Sequence, residues 1–195
     1  MTPLLRSLFV LLVLTVPLAA QEDGKLTLEA LFHPQRRTTF LPTPKARWMW
    51  RSDGSLREIR IDKERLQIER LDPASGSRTP LLDPEALLES CRRAGMTEAQ
   101  AKQAVGRPPL GWSPSQDAFL LKGGEDLYLV RLSGPSVTRL TTDGRSREVP
   151  TFSPDGTRIA FLKGNDLHVL DLGTGHERPL TTGGDDTHLN GRLDW

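Results

Sequence analysis

The chain has 195 residues, 26% charged and 36% hydrophobic, and its 26 Lys+Arg against 25 Asp+Glu leave a formal net charge of +1. That is too much apolar material for a disordered chain, and length enough for one or two ordinary domains. The near-neutral balance excludes a default nucleic-acid partner, and the single cysteine, Cys91, excludes an intrachain disulfide or a cysteine metal cluster.

Residues 1–20 read as a secretory signal peptide. Arg6 supplies the positive start, Leu8–Val16 an apolar run, and Pro17-Leu18-Ala19-Ala20 the small-residue end before polar Gln21-Glu22-Asp23. The alternative is an uncleaved membrane anchor. The apolar stretch Leu8–Ala20 has only 13 residues, against about 20 for a spanning helix. Export with cleavage after Ala20 is therefore the expectation, and the mature chain then has no net charge.

From Ala46 to Leu82 the sequence reads as a short β-sheet unit. Trp48-Met49-Trp50 precedes the turn Ser52-Asp53-Gly54. Leu66–Leu71 alternates, and Asp72-Pro73-Ala74-Ser75-Gly76 turns the chain before Thr79-Pro80-Leu81-Leu82.

Residues 83–106 change character. Asp83-Pro84-Glu85 supplies an N-cap, a first-turn proline and a first-turn acid; Leu87, Leu88 and Cys91 recur at helical spacing; Gly95 is a natural terminator. Thr97-Glu98-Ala99-Gln100 is a capping box that opens a second helix, stopped by Gly106 and Pro108-Pro109. Two short helices invite a helix-turn-helix reading. Arg92, Arg93 and Lys102 do not make a basic face, so the pair is expected to be a helical insertion on the outside or edge of the fold, with no nucleic-acid role.

Beyond residue 106 the chain repeats. Trp112–Gly144 laid over Phe152–Gly184 at a constant offset of 40 gives ten identities in 33 positions without a gap. Among them are Ser113-Pro114 on Ser153-Pro154, Asp126-Leu127 on Asp166-Leu167, and Leu140-Thr141-Thr142 on Leu180-Thr181-Thr182. Within one copy, Pro154-Asp155-Gly156, Gly164-Asn165 and Gly173-Thr174-Gly175 are turns between β-prone runs at Arg158–Leu162, Leu167–Leu172 and Glu177–Thr181. With a strand before Ser153, that makes four antiparallel strands per copy, the unit of a β-propeller blade. The expected architecture is all-β: a partial propeller with blades near 46–82, 108–144 and 148–184. A two-layer β-sandwich is the alternative.

The stretch Phe152–Trp195 resembles the N-terminal β-propeller of the dipeptidyl peptidase IV family, in the prolyl oligopeptidase clan. The residues that carry the resemblance are the Ser153-Pro154-Asp155-Gly156 repeat, Leu180-Thr181-Thr182-Gly183-Gly184, Asn190-Gly191 and Asp194-Trp195. Lys25-Leu26-Thr27-Leu28-Glu29 with Phe32 also resembles the family's mature N-terminus. Ser-Pro-Asp-Gly by itself also occurs in TolB-like propellers, a non-enzymatic alternative. The resemblance implies a propeller capping an α/β-hydrolase domain, cofactor-free removal of dipeptides from peptide N-termini by a Ser-His-Asp triad, and frequent dimers. It also implies two glutamates, in a motif that follows Asp-Trp, which hold the substrate amine. The sequence given stops at Trp195 and contains no Gly-x-Ser-x-Gly elbow. His33, His168, His176 and His188 have no serine and carboxylate at motif spacing, and Asp185-Asp186 lies in a Gly-rich loop and reads as a solvated turn. No catalytic, cofactor or metal residue is therefore assigned.

Overall fold

The structure, a computed structural model, describes residues 46–134 and 136–192. The signal peptide, His33, the 25–32 segment and Asp194-Trp195 lie outside the described residues. Three four-stranded antiparallel meanders follow one another in the chain. The first contains β1 (Ala46–Trp50), β2 (Leu56–Asp62), β3 (Arg65–Leu71) and β4 (Arg78–Pro80). Helices α1 (Pro84–Arg93) and α2 (Glu98–Val105) come next. The second sheet contains β5 (Gly111–Trp112), β6 (Ala118–Gly123), β7 (Asp126–Arg131) and β8 (Ser136–Arg139). The third contains β9 (Glu148–Phe152), β10 (Arg158–Lys163), β11 (Asp166–Asp171) and β12 (Glu177–Pro179). These are three blades of a partial β-propeller.

The repeat is literal in register. Trp112 pairs with Phe119 and Phe152 pairs with Ile159, so the two aromatics hold equivalent places 40 residues apart. The middle blade explains its own composition. Phe119, Leu121, Tyr128 and Val130 face a core shared with the first blade and the helices. Ala118, Leu120, Leu127 and Leu129 face Ile159, Phe161 and Leu170 of the third blade. A sheet covered on both sides needs a continuous apolar run rather than alternation, and β6 and β7 have one.

The helices depart from expectation. They are not an outer decoration. Leu87, Leu88, Cys91, Ala101, Ala104 and Val105 are buried in the same core as Ile59, Leu66 and Ile68 of the first blade and Phe119 and Tyr128 of the second. α1 touches β3 and β8, and α2 touches β3 and β6, so the pair is a wedge between two blades. The physical reason is apolar area: six buried small and aliphatic side chains would be left in water on an outer face. Both caps form as the sequence indicates. Asp83 accepts from the Glu85 and Ala86 amides, and the Thr97–Gln100 box closes in both directions.

The last strand of the third blade is shorter than its sequence suggests, ending at Pro179. The Leu180 amide still reaches the Leu167 carbonyl at 2.7 Å, but the Leu167 amide is taken by the Thr181 hydroxyl at 2.9 Å instead of by the strand.

Candidate functional site

Start with the turns. Ser113 and Ser153 each close a loop onto the next strand, accepting the Ala118 and Arg158 amides at 3.0 Å. In the third blade the loop is completed by Gly156 at φ 71°. The second blade has Gln116 there, at φ 58°, and its side chain is used: Nε2 donates to the Trp50 carbonyl at 3.0 Å, tying the first blade to the second.

The Asp-Leu and Leu-Thr-Thr identities form a second repeated device. Thr141 Oγ1 donates to Asp126 Oδ1 at 2.9 Å and accepts from the Leu127 amide at 3.0 Å. Thr181 does the same with Asp166 and Leu167, at 3.0 and 2.9 Å. The two clasps then diverge. Asp126 takes the Arg139 guanidinium at 2.6 Å. The matching residue in the third blade is Pro179, so Asp166 is free to accept from the Gly184 amide at 3.2 Å and from Asn190 Nδ2 at 2.9 Å.

Those bonds make a latch. The Asn190 amide reaches the Asn165 carbonyl at 3.0 Å, and Arg192 Nη2 reaches the Gly164 carbonyl at 3.2 Å and Glu148 at 2.9 Å. Gly191, at φ 79°, lies where a Cβ would come within 2.9 Å of Leu162. The Asn-Gly pair singled out from sequence therefore fastens the 184–192 segment to the β10–β11 hairpin end. These donors hold the Asp166 carboxyl below its ordinary value, Asn190 contributing most.

Two buried cations were not foreseen. Arg147 donates to Asp143 and, at 2.6 Å, to Glu177; Lys163 bonds the same two carboxylates at 2.8 and 2.5 Å. Two positive and two negative charges thus balance beside Phe161. Arg57 is wholly buried, stacked 4.1 Å over Trp112, and donates Nη2 to the Gln116 carbonyl. Its Nε and Nη1 have no partner among the described residues, and burial pushes its pKa down to about 10.

No acyl-transfer site is gathered among the described residues. His168 stacks on Phe161 with Nδ1 3.5 Å from Glu177. His176 sits in a turn. His188 belongs to a loop organised by Asp185, which accepts from the Thr187 and His188 amides and whose pKa falls to about 2, chiefly through the Thr187 hydroxyl. Cys91 is buried in the wedge core, its thiol pushed up to about 11 by burial. No group of three or more His, Cys, Asp or Glu among the described residues is placed to hold a metal ion.

The latch segment lies within a stretch that is similar to a known family. Residues 145–195 match the dipeptidyl peptidase IV (DPP IV) N-terminal region. A solved structure of Porphyromonas gingivalis dipeptidyl peptidase 4 shares the fold, with a TM-score of 0.51 and 23% identity, covering 71% of this chain and 20% of that one. TolB from Acinetobacter baumannii aligns at a TM-score of 0.42 and 20% identity, over 72% of this chain and 33% of its own. In sequence, a TolB homolog from Chlorobium luteolum is 45% identical over 76 residues, which is 35% of this chain and 17% of that protein. The chain thus spans about a sixth of the curated relative and a fifth of the DPP 4 chain. It is similar to the DPP IV N-terminal region over residues 145–195 and, over 76 residues, to a TolB homolog.

Proposed function

We propose that the chain is the N-terminal, substrate-recognising propeller portion of an exported serine exopeptidase of the DPP IV type. The supporting observation is the latch. Asn190 and Gly191 lie within the DPP IV match, and Asp166 and Leu162 hold them against the β10–β11 hairpin end. In this reading the latch sets the direction in which the chain continues toward the paired carboxylates that receive a substrate amine. A desolvated ammonium needs that charge partner. The propeller selects and orients peptides, and nucleophile, base and oxyanion donors belong to a hydrolase domain. Export rests on the leader-like residues 1–20. Full-length dimerisation accompanies the same reading.

The test is dipeptide release. The 195-residue chain, purified free of host proteases, should not release chromophore from a Gly-Pro substrate above the uncatalysed rate. The same reading frame extended through a glutamate motif and a Gly-x-Ser-x-Gly elbow should. A second reading draws on the 45% identity to the TolB homolog: a non-enzymatic propeller binding module. Further blades without an elbow in the extended frame would select it.

A further inference from the structure

We infer that the cleft between β1, the Pro108–Leu110 connector and the β6–β7 hairpin is a binding site for an extended peptide segment that carries both apolar side chains and carboxylates. This deepens, and rests on, the reading of the chain as a peptide-recognising propeller.

Two adjoining open clefts share Arg47, Pro108, Pro109 and Leu110. The first, about 590 Å³, is apolar and lined by Trp48, Met49, Ile59 and Trp112. The second, about 520 Å³, is lined by Arg107, Lys122 and Glu125. Leu110 is 45% exposed, a cost in water that a ligand's side chains would relieve.

The charges are unbalanced in one direction. Lys122 is already held by Glu125 at 2.8 Å and by Ser146 at 3.1 Å. Arg47 and Arg107 are exposed and make no ion pair with any described residue. Other arginines are paired, as Arg60 is with Glu69, Arg92 with Glu98 and Arg139 with Asp126. Arg131, Arg145 and Arg178 are not paired among the described residues, so what sets Arg47 and Arg107 apart is their place at one cleft. Two guanidiniums with no ion pair among the described residues, beside an apolar wall, favour a carboxylate, which each can take bidentately.

The shape favours an extended chain. Among the described residues β1 is an edge strand, paired only with β2, and such an edge accepts an added strand. Across the cleft, Pro108 and Pro109 have no N–H to donate, so this wall cannot zip onto β1 and close the gap. The cleft also reaches the β6–β7 hairpin, the repeat equivalent of the β10–β11 hairpin that carries the Asn190 latch. Both hairpins therefore belong to the same end of their blades.

The experiment is fluorescence anisotropy of labelled Leu-Leu-Ala-Asp-Glu against the full 195-residue chain, with Leu-Leu-Ala-Lys-Lys as the charge-reversed probe. The acidic peptide should bind at least about ten-fold tighter, and Arg47→Glu with Arg107→Glu should abolish that preference. Both residues are exposed, so circular dichroism should stay unchanged. Leu110→Ser should weaken both peptides alike. Equal binding of the two probes, or an unaltered preference in the double variant, overturns the site. Anisotropy needs no turnover, so the two readings fail separately. Acidic-peptide preference without dipeptide release by the extended frame sinks the peptidase reading. Release without that preference sinks the cleft.

Discussion

Asn190 Nδ2 donates to Asp166 Oδ1 at 2.9 Å, across 24 residues of chain. The equivalent aspartate in the preceding blade, Asp126, gives that capacity to Arg139 instead. One change in the repeat, Arg139 to Pro179, thus converts an internal strand clasp into an anchor for the next segment. Asn190→Ala should release residues 184–192 while leaving the sheets intact. Hydrogen exchange should show the Gly184 and Asn190 amides losing roughly ten-fold protection, with β6 and β7 unchanged. Loss spread evenly over all three blades would mean the bond is global ballast rather than a local latch.

The two threonine clasps should differ in worth. Leu127 N–H meets Thr141 in a buried setting, whereas the Leu167–Thr181 bond is partly buried. Thr141→Val strands a buried donor and should cost about 2–3 kcal/mol, and Thr181→Val about 1 kcal/mol, because water can reach the released amide. Urea denaturation of the two variants measures the difference. Equal losses would show that burial does not govern the clasp.

Much of this fold was legible because the repeat made turns and strands corroborate each other. Gly164-Asn165, Pro154-Asp155-Gly156 and the caps at Asp83 and Thr97 behave as their local chemistry dictates. The β2–β3 hairpin was harder to see. Its loop is Lys63-Glu64, at φ 47° and 59°, a left-handed pair with neither glycine nor asparagine to announce it. The position of the helices was illegible for another reason. An amphipathic stripe says that Leu87 and Cys91 are buried, but not against which sheet. Asp166 was visible as a repeat identity and Asn190 through the family resemblance, yet pairing the two needed the hairpin to bring them together.

The wedge makes the helices part of the inter-blade core. Leu87 is fully buried there, so Leu87→Ala should cost about 2–4 kcal/mol. Removing the Thr97 cap, by Thr97→Ala, should cost about 1 kcal/mol. Because α1 touches both β3 and β8, Leu87→Ala should loosen the first two blades together, seen as accelerated exchange in β3 and β8 amides. Exchange confined to residues 84–105 would restore the outer-insertion picture.

Arg57 is a buried cation with two unpartnered nitrogens stacked on Trp112. Its packing is useful and its charge is a cost. Arg57→Met keeps an unbranched side chain over the indole and should leave thermal stability unchanged or raise it by up to about 2 kcal/mol. Arg57→Ala loses the packing and should destabilise by about 2–3 kcal/mol. A methionine variant as unstable as the alanine one would show that the Gln116 carbonyl bond outweighs desolvation.

The Arg147 network should dominate the acid limb of stability. Burial raises the Glu177 carboxyl, but Arg147 and Lys163 outweigh it and hold it below its ordinary 4.5. Arg147 also draws the Asp143 carboxyl well below 3.8. Depressed folded-state values mean that the unfolded chain binds more protons as the medium is acidified. The stabilisation is therefore complete above about pH 4.5 and is lost as pH falls through the folded pKa values. Among the described residues the His168 ring also faces Glu177, with Nδ1 3.5 Å away. Arg147→Gln should cost about 2–4 kcal/mol at pH 7, less than a fully enclosed pair because Asp143 is 39% exposed. It should also flatten the decline below pH 4.5, since both carboxyls return toward their ordinary values. Urea midpoints at pH 7, 5, 4 and 3 check both effects. Parallel acid limbs in the two proteins would mean that acid sensitivity lies elsewhere, in aspartates such as Asp53 or Asp155, whose pKa values fall to about 2 through bonds from neighbouring hydroxyls.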